Sequence, residues 1–239
     1  MKHQLTVIIP CYNSELYIEQ NILKLNSKIN KYFKGIEYIV INDGSSDKTV
    51  NQLRITKKKI KNFKIIDIKK NSGKSNAIKK ALKISYGNKI LLCDADIPYF
   101  DYLDQVLTKL KFNRLVVINR RHKNSKILIK NRKIYNLIRT LIGNLISFTN
   151  FYLLGISIKD TQSGLKGFSN SLDLKKEKFI SRRFFLDIEI LNFFRKKNIK
   201  PVEIPVRFKL ESTKSSINLF DFKKNIEIFR EYLRVINNI

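Results

Sequence analysis

Asp94 and Asp96 stand one residue apart in the stretch LLCDADIPY, where an apolar run stops. Two carboxylates at the end of a buried strand are hard oxygen ligands, and Mg2+ or Mn2+ usually sits on one or two carboxylates plus the phosphate oxygens of a substrate. Open α/β sheets bind ligands at the carboxyl ends of their strands, so the pair suggests a metal-bound diphosphate. Asp after a strand is also a common turn former or helix cap. The spacing alone does not decide between them; the surrounding elements do.

Those elements alternate. Residues 5–10 (LTVIIP) read as a short buried strand that ends at Pro10. Ser14 can cap a helix whose apolar positions Leu16, Ile18, Ile22, Leu25 and Ile29 have approximately helical spacing. Residues 37–41 (EYIVI) predict a second strand, after which Gly44 permits a tight turn and the Ser and Asp residues of NDGSSD can cap the next helix. Residues 63–68 form a third strand, and NSGKSNAIKKALKI carries a Gly-containing loop into a helix. Amides at that helix start, beside Lys74, suit a phosphate; a solvated loop in a Lys-rich chain is the other reading. No GxxxxGK[ST] is present, which excludes a Walker loop. With LLCDAD as the fourth strand, the order predicts an α/β fold: a doubly wound, mostly parallel sheet flanked by helices, Rossmann-like in its nucleotide-binding half.

The second half is less regular. A helix is expected over 102–110 and a strand over 115–118, ending at Arg120, Arg121 and His122, a cluster that either holds an anion or is a solvated loop tip. From Thr140 to Ile158 no charged residue occurs, but Asn, Ser, Thr and Gly make the stretch a poor membrane span. Behind Arg132, Lys133 and Arg139 it reads as a basic amphipathic segment on a bilayer surface, or as a core helix. KDTQSGLKGF is a polar turn entering a short strand. FFLDIEILNFF is a helix in which Asp187 or Glu189 is either a raised-pKa base or part of a polar face. Residues 202–208 (VEIPVRF) suit an edge strand, since Pro205 cannot donate to a ladder. Residues 218–236 predict a last amphipathic helix.

The 239 residues carry 48 Lys plus Arg against 20 Asp plus Glu, a net charge of +28 that favours anionic partners. Lys far outnumbers Arg and accompanies abundant Ile and Asn, the usage of an AT-rich genome, and no Arg-rich arm or zinc-finger spacing occurs; nucleic acid is not an expected partner. Only two cysteines, Cys11 and Cys93, and no signal peptide point to a reducing cytosol with both thiols reduced.

In order and spacing, VIIPCYN, VINDGSSDKT, NSGKSNAIKKAL and LLCDAD resemble family 2 glycosyltransferases of GT-A type. INRRH, IKDTQSGLKGF, FLDIEIL and KPVEIPVRF resemble the branch that makes polyprenyl-phosphate sugars, and DTQSGLKGF is most similar to dolichyl-phosphate glucosyltransferases, with the mannosyltransferases next. The resemblance implies one inverting glycosyltransferase domain over 1–239, with a nucleotide-sugar half to about residue 120 and an acceptor or membrane-facing half beyond. A hexose would pass from a UDP-glucose or GDP-mannose type donor to a polyprenyl phosphate. The enzyme would be peripheral, on the inner face of the cytoplasmic membrane, against anionic lipid. A sugar hydroxyl in polysaccharide or glycolipid assembly is the alternative acceptor.

By the same resemblance, Pro10, Tyr12, Asn13, Glu15 and Asp43 would line the nucleotide, with Lys74 nearby, and Asp94 and Asp96 would bind Mg2+ or Mn2+ on the donor diphosphate. Lys214 would close over the donor from a late loop. Arg120 and Arg139 would handle phosphate oxygens, and Asp187 matches the family's base carboxylate. Ser14 replaces an acidic residue usual after YN, Asn42 replaces the first of two Asp, and Pro98 stands where the mannosyltransferase pattern has Gln. The QxxRW of processive synthases is missing, which argues against polymer synthesis.

Overall fold

Successive residues of a strand face opposite sides of a sheet, and the apolar residues of β1 (Leu5–Cys11) divide accordingly, with Leu5, Val7, Ile9 and Cys11 in one core and Ile8 in the other. In β2 (Ile36–Asp43), Tyr38 and Val40 oppose Ile39 and Ile41; in β4 (Lys89–Cys93), Leu91 and Cys93 oppose Ile90 and Leu92. Burial on both faces is why these strands read as unbroken apolar runs. The first face is covered by α1 (Ile18–Ile29), α2 (Thr49–Lys59) and α4 (Leu103–Phe112), the second by α3 (Lys74–Ile84) and α7 (Leu186–Lys196).

This architecture comes from a computed structural model that describes residues 4–129, 134–210 and 222–239. With β3 (Phe63–Ile68), β5 (Leu115–Asn119), β7 (Leu165–Ser169) and β8 (Val202–Pro205), the sheet has seven strands in the order β3-β2-β1-β4-β7-β5-β8. Every pairing is parallel except those of β7, which is antiparallel to both β4 and β5. The expected doubly wound sheet is therefore present. Strand order reverses between β1 and β4, the crevice where such sheets take ligands. Because β7 runs backwards, the loop before it opens onto that same edge.

Several boundaries move. The predicted strand over 202–208 divides: β8 is the sheet edge as expected, whereas β9 (Arg207–Leu210) pairs with β6 (Lys126–Ile129) in a separate two-stranded sheet. Pro205 ends the first ladder, and the Val206 amide turns to Ser125 Oγ at 3.0 Å. Helix α1 starts at Ile18 instead of after Ser14, whose carbonyl accepts from the Tyr17 and Ile18 amides in a preceding turn; Leu16, expected on the apolar face, is 89% exposed. The uncharged segment lies in α5 (Ile134–Leu154) and the last helix is α8 (Phe222–Asn238); the short α6 (Leu172–Lys176) follows β7. No helix among the described residues is long and apolar enough to cross a membrane. Cys11 and Cys93 are buried and free, and burial, with Asp47 and Asp43 nearby, pushes the Cys11 thiol up to about 12.

Candidate active site

At the end of β4 the Asp94 amide donates to the Gly164 carbonyl at 2.9 Å. Gly164 is in the DTQSG turn before β7, and a Cβ there would stand 2.6 Å from Asp94 Oδ2 and 2.7 Å from Pro98 Cγ, so a larger residue would have to push these side chains aside. Lys74 Nζ lies 2.5 Å from Asp94 Oδ1, a buried oxygen with no other polar partner among the described residues. Enclosure alone would lower the Lys74 pKa, but the charges of Asp94, Asp187 and Asp96 outweigh it and raise it. Enclosure and then the neighbouring Asp94 charge raise the pKa of Asp96. Lys74, Asp94, Asp96 and Asp187 thus share one electrostatic neighbourhood. No cluster of three or more metal-ligating side chains occurs among the described residues. A divalent ion that arrives on a diphosphate needs only one or two carboxylates. Asp94, whose Oδ1 is met by the Lys74 ammonium, and the neighbouring Asp96 supply carboxylates that fit such an ion once Lys74 gives way.

The start of α3 is built differently from the phosphate cradle the sequence suggested. The Ser75 and Asn76 amides are taken by the Arg183 and Arg182 carbonyls at 3.1 and 3.0 Å, and the Gly73 amide donates to Asp43 Oδ2 at 2.8 Å. Gly73 has φ 96°, and a Cβ would be 2.5 Å from the Arg182 carbonyl oxygen. Asp43 Oδ1 accepts from the amide and hydroxyl of Ser72, both at 2.8 Å. Asp43 is 4% exposed, and its carboxylate anchors the loop that carries Lys74. The amides of Ser75 and Asn76 are therefore not available to a phosphate, and the Lys74 side chain is the charged group α3 presents.

Residues 180–183 are held in turn by two carboxylates. Glu189 accepts from the Ile180 and Ser181 amides, and Glu231 of α8 from the Ser181 hydroxyl and the Arg182 and Arg183 amides. Burial raises the Glu189 pKa, yet both of its oxygens hold main chain, so of the two candidate bases only Asp187 adjoins Lys74.

The loop after β1 is stitched to the loop after β2. Asn13, at φ 47°, donates its amide to Ser45 Oγ and accepts from the Ser46 amide through Oδ1; Glu15 accepts from the Lys48 amide at 2.7 Å, and its own amide donates to Asp47 Oδ2. Pro10 is buried in β1, while Tyr12 is 51% exposed. Asn13 and Glu15 therefore shape the rim that presents Tyr12.

Two ion pairs secure the far side. Arg120 forks onto Asp160, with Nε to Oδ2 at 2.6 Å and Nη2 to Oδ1 at 2.7 Å, and also reaches the Gln162 carbonyl. Arg121 donates to the Gly143 and Lys159 carbonyls. Of the two readings left open for the cluster after β5, an anion site or a solvated loop tip, neither describes Arg120 and Arg121 as found: their guanidinium groups hold the DTQSG turn and α5. Asp187 Oδ1 accepts from Lys166 Nζ at 2.6 Å, and Lys166, 1% exposed, also donates to the Thr161 carbonyl. Arg139 falls in α5, where its side chain is not described, and Lys214 lies outside the described residues. Sequence reasoning missed Asp160, Gly164 and Lys166. One signal was available: the 55 residues from Gln105 to Lys159 contain no carboxylate, so Asp160 stands alone in a basic stretch.

The profile of the family described as Glycosyl transferase family 2 matches residues 6–174. The chain belongs to this family. Among curated relatives, this family 2 glycosyltransferase is 28% identical to a dolichyl-phosphate beta-glucosyltransferase of Dictyostelium discoideum, over 97% of this chain and 73% of that one. It is 29% identical to the dolichyl-phosphate beta-glucosyltransferase of Saccharomyces cerevisiae, over 95% and 74%. Among solved structures, mannosyl-3-phosphoglycerate synthase from Rubrobacter xylanophilus matches with a TM-score of 0.69 at 15% identity, over 99% of this chain and 74% of that one. Glucosyl-3-phosphoglycerate synthase from Mycobacterium tuberculosis, crystallised with Mn2+, UDP-glucose and phosphoglyceric acid, matches with a TM-score of 0.64 at 16% identity, over 98% and 80%. The expected GT-A fold is thereby established for the glycosyltransferase.

Proposed function

We propose that this glycosyltransferase moves a hexose, with inversion, from a nucleotide sugar of UDP-glucose or GDP-mannose type to a polyprenyl phosphate, using Mg2+ or Mn2+ at the inner membrane surface. The observation that carries the reading is the meeting of Asp94, Asp96, Lys74 and Asp187 at the carboxyl edge of β4. Tyr12 would stack on the base, and the Asp43-anchored loop would bring Lys74 to the diphosphate. A divalent ion on Asp94 and Asp96 would stabilise the negative charge that grows on the leaving phosphate. Lys74 adds a second cation there.

The acceptor is inferred from two features. Asp187 already has one oxygen on the Lys166 ammonium, and an ionised phosphate needs positioning more than it needs a base. We assign the positioning to Arg139, whose forked donors suit phosphate oxygens, with Lys214 closing over the donor; Arg120 serves it indirectly by fixing the DTQSG turn. The Dictyostelium and Saccharomyces relatives are named for dolichyl phosphate, which agrees with this acceptor.

The second feature is the inverted polarity of α5. Asn150 is fully buried, with its Oδ1 3.0 Å from the Tyr232 hydroxyl of α8, whereas Leu141, Leu145, Phe148 and Tyr152 are 58–67% exposed. Ile226, Phe229 and Leu233 of α8 are exposed as well. An apolar face turned outward on a chain of charge +28 suits an anionic bilayer in which a prenyl tail can remain. The reading is tested by incubating purified protein with Mg2+ or Mn2+, polyprenyl phosphate and a panel of UDP- and GDP-sugars. Sugar recovered in the lipid phase upholds it; transfer only to sugar hydroxyls refutes the acceptor.

A further inference from the structure

Lys74 has no fixed need to touch Asp94. Its backbone is set by the Asp43 carboxylate on one side, through Gly73, and by the 182–183 carbonyls on the other, through Ser75 and Asn76. From that fixed root the side chain carries Nζ to 2.5 Å from Asp94 Oδ1. The oxygen it meets is buried and takes no other hydrogen bond among the described residues. The ammonium therefore already neutralises Asp94 and stands where a metal ion on Oδ1 would have to bind.

We propose that Lys74 is the resident counter-ion of the metal site: in the donor-free enzyme its ammonium neutralises Asp94 and excludes a free divalent ion, and it gives way only when the metal arrives with a diphosphate. This inference rests on the metal reading of Asp94 and Asp96 under the proposed function. A diphosphate supplies the anion that Lys74 loses on leaving Asp94, so exchange conserves charge pairing on both sides: ammonium with carboxylate and metal with diphosphate become metal with carboxylate and ammonium with phosphate. A metal without diphosphate would instead have to displace the ammonium with no new anion to receive it. Two like charges held within a few ångströms in a site shielded from bulk water repel strongly. Metal binding is thereby made conditional on donor, and no empty metal site stands open to unproductive ions.

The test is Mn2+ binding followed by electron paramagnetic resonance, with and without UDP, on the full chain and on Lys74→Met, Lys74→Gln and Asp94→Asn. Removing an adjacent opposite charge alters a carboxylate's cation affinity by about 10- to 1,000-fold, as neighbouring charges do for protons. Without UDP, wild type should bind Mn2+ weakly, and Lys74→Met and Lys74→Gln at least about tenfold more tightly; Asp94→Asn should bind poorly with or without UDP. If wild type binds Mn2+ alone as tightly as the two Lys74 variants, with thermal melts showing all three folded, the inference is overturned while the metal site stands. If Asp94→Asn binds Mn2+ with UDP as well as wild type does, the metal reading itself is overturned.

Discussion

Lys166 and Asp187 form an ion pair 2.6 Å long whose ammonium side is 1% exposed and whose carboxylate side is 13% exposed. The pair joins the second residue of β7 to the first turn of α7, and through the Thr161 carbonyl it also grips the DTQSG turn. Asp187 is thus fixed beside Lys74 by a partner that comes from a different part of the chain.

Removing Lys166 strands a buried carboxylate. Lys166→Met is expected to lower unfolding free energy by about 3 kcal/mol, the low end of the range for a broken buried pair, because Asp187 keeps some contact with water. Urea unfolding measures it; a change under about 1 kcal/mol would mean that the pair carries little of the fold.

Asp160 couples the same turn to pH. Burial works to raise its pKa, but the Arg120 fork and charge outweigh burial and hold it below the ordinary carboxylate range. A folded-state pKa below the unfolded value gives stability that is full above about pH 4 and is lost as pH falls through the folded pKa. Asp160→Asn should therefore be less stable than wild type at pH 7 and lose less on acidification. Melting temperatures between pH 7 and 3 test this; parallel curves would contradict it.

Much of this site was legible in the sequence, in an uneven way. The strands before Asp43 and Asp94 declare themselves because burial on both faces gives unbroken apolar runs, and DxD at such a strand end indicates where charge collects. The partners were hidden. Arg120 with Asp160 and Lys166 with Asp187 are 40 and 21 residues apart, and nothing local marks them as pairs until β7 is known to run antiparallel between β4 and β5. The Ser75 and Asn76 amides could not be read as occupied for a similar reason, since their acceptors come from residues 182 and 183. The apolar character of α5 was evident, but which side faces outward was settled by Asn150 and its Tyr232 partner.

Acceptor chemistry separates two carboxylate and guanidinium variants. With a phosphate acceptor, Asp187→Asn should cost less turnover than Arg139→Ala, because no proton has to be removed from the nucleophile. Steady-state kinetics on folded variants checks the ranking, and the reverse order would favour a sugar hydroxyl.

The outward apolar face makes its own demand. Phe148→Asp with Phe229→Asp, at side chains 58% and 59% exposed, should weaken binding to anionic vesicles at least about tenfold, since each phenyl group contributes roughly 1.5–3 kcal/mol when buried. Flotation with phosphatidylglycerol vesicles reads it; equal flotation of variant and wild type would remove these helices from the membrane contact.

The proposed chemistry centres on carboxylates that would pull, through a cation, on a departing diphosphate. Lipid-phase product formed by wild type and by Asp96→Asn, with nucleotide sugar, Mn2+ and polyprenyl phosphate all saturating, measures that pull most directly. Loss of turnover by at least about a hundredfold is expected for the variant, the scale typical of a removed electrostatic stabiliser. Undiminished turnover would show that the leaving group departs without Asp96.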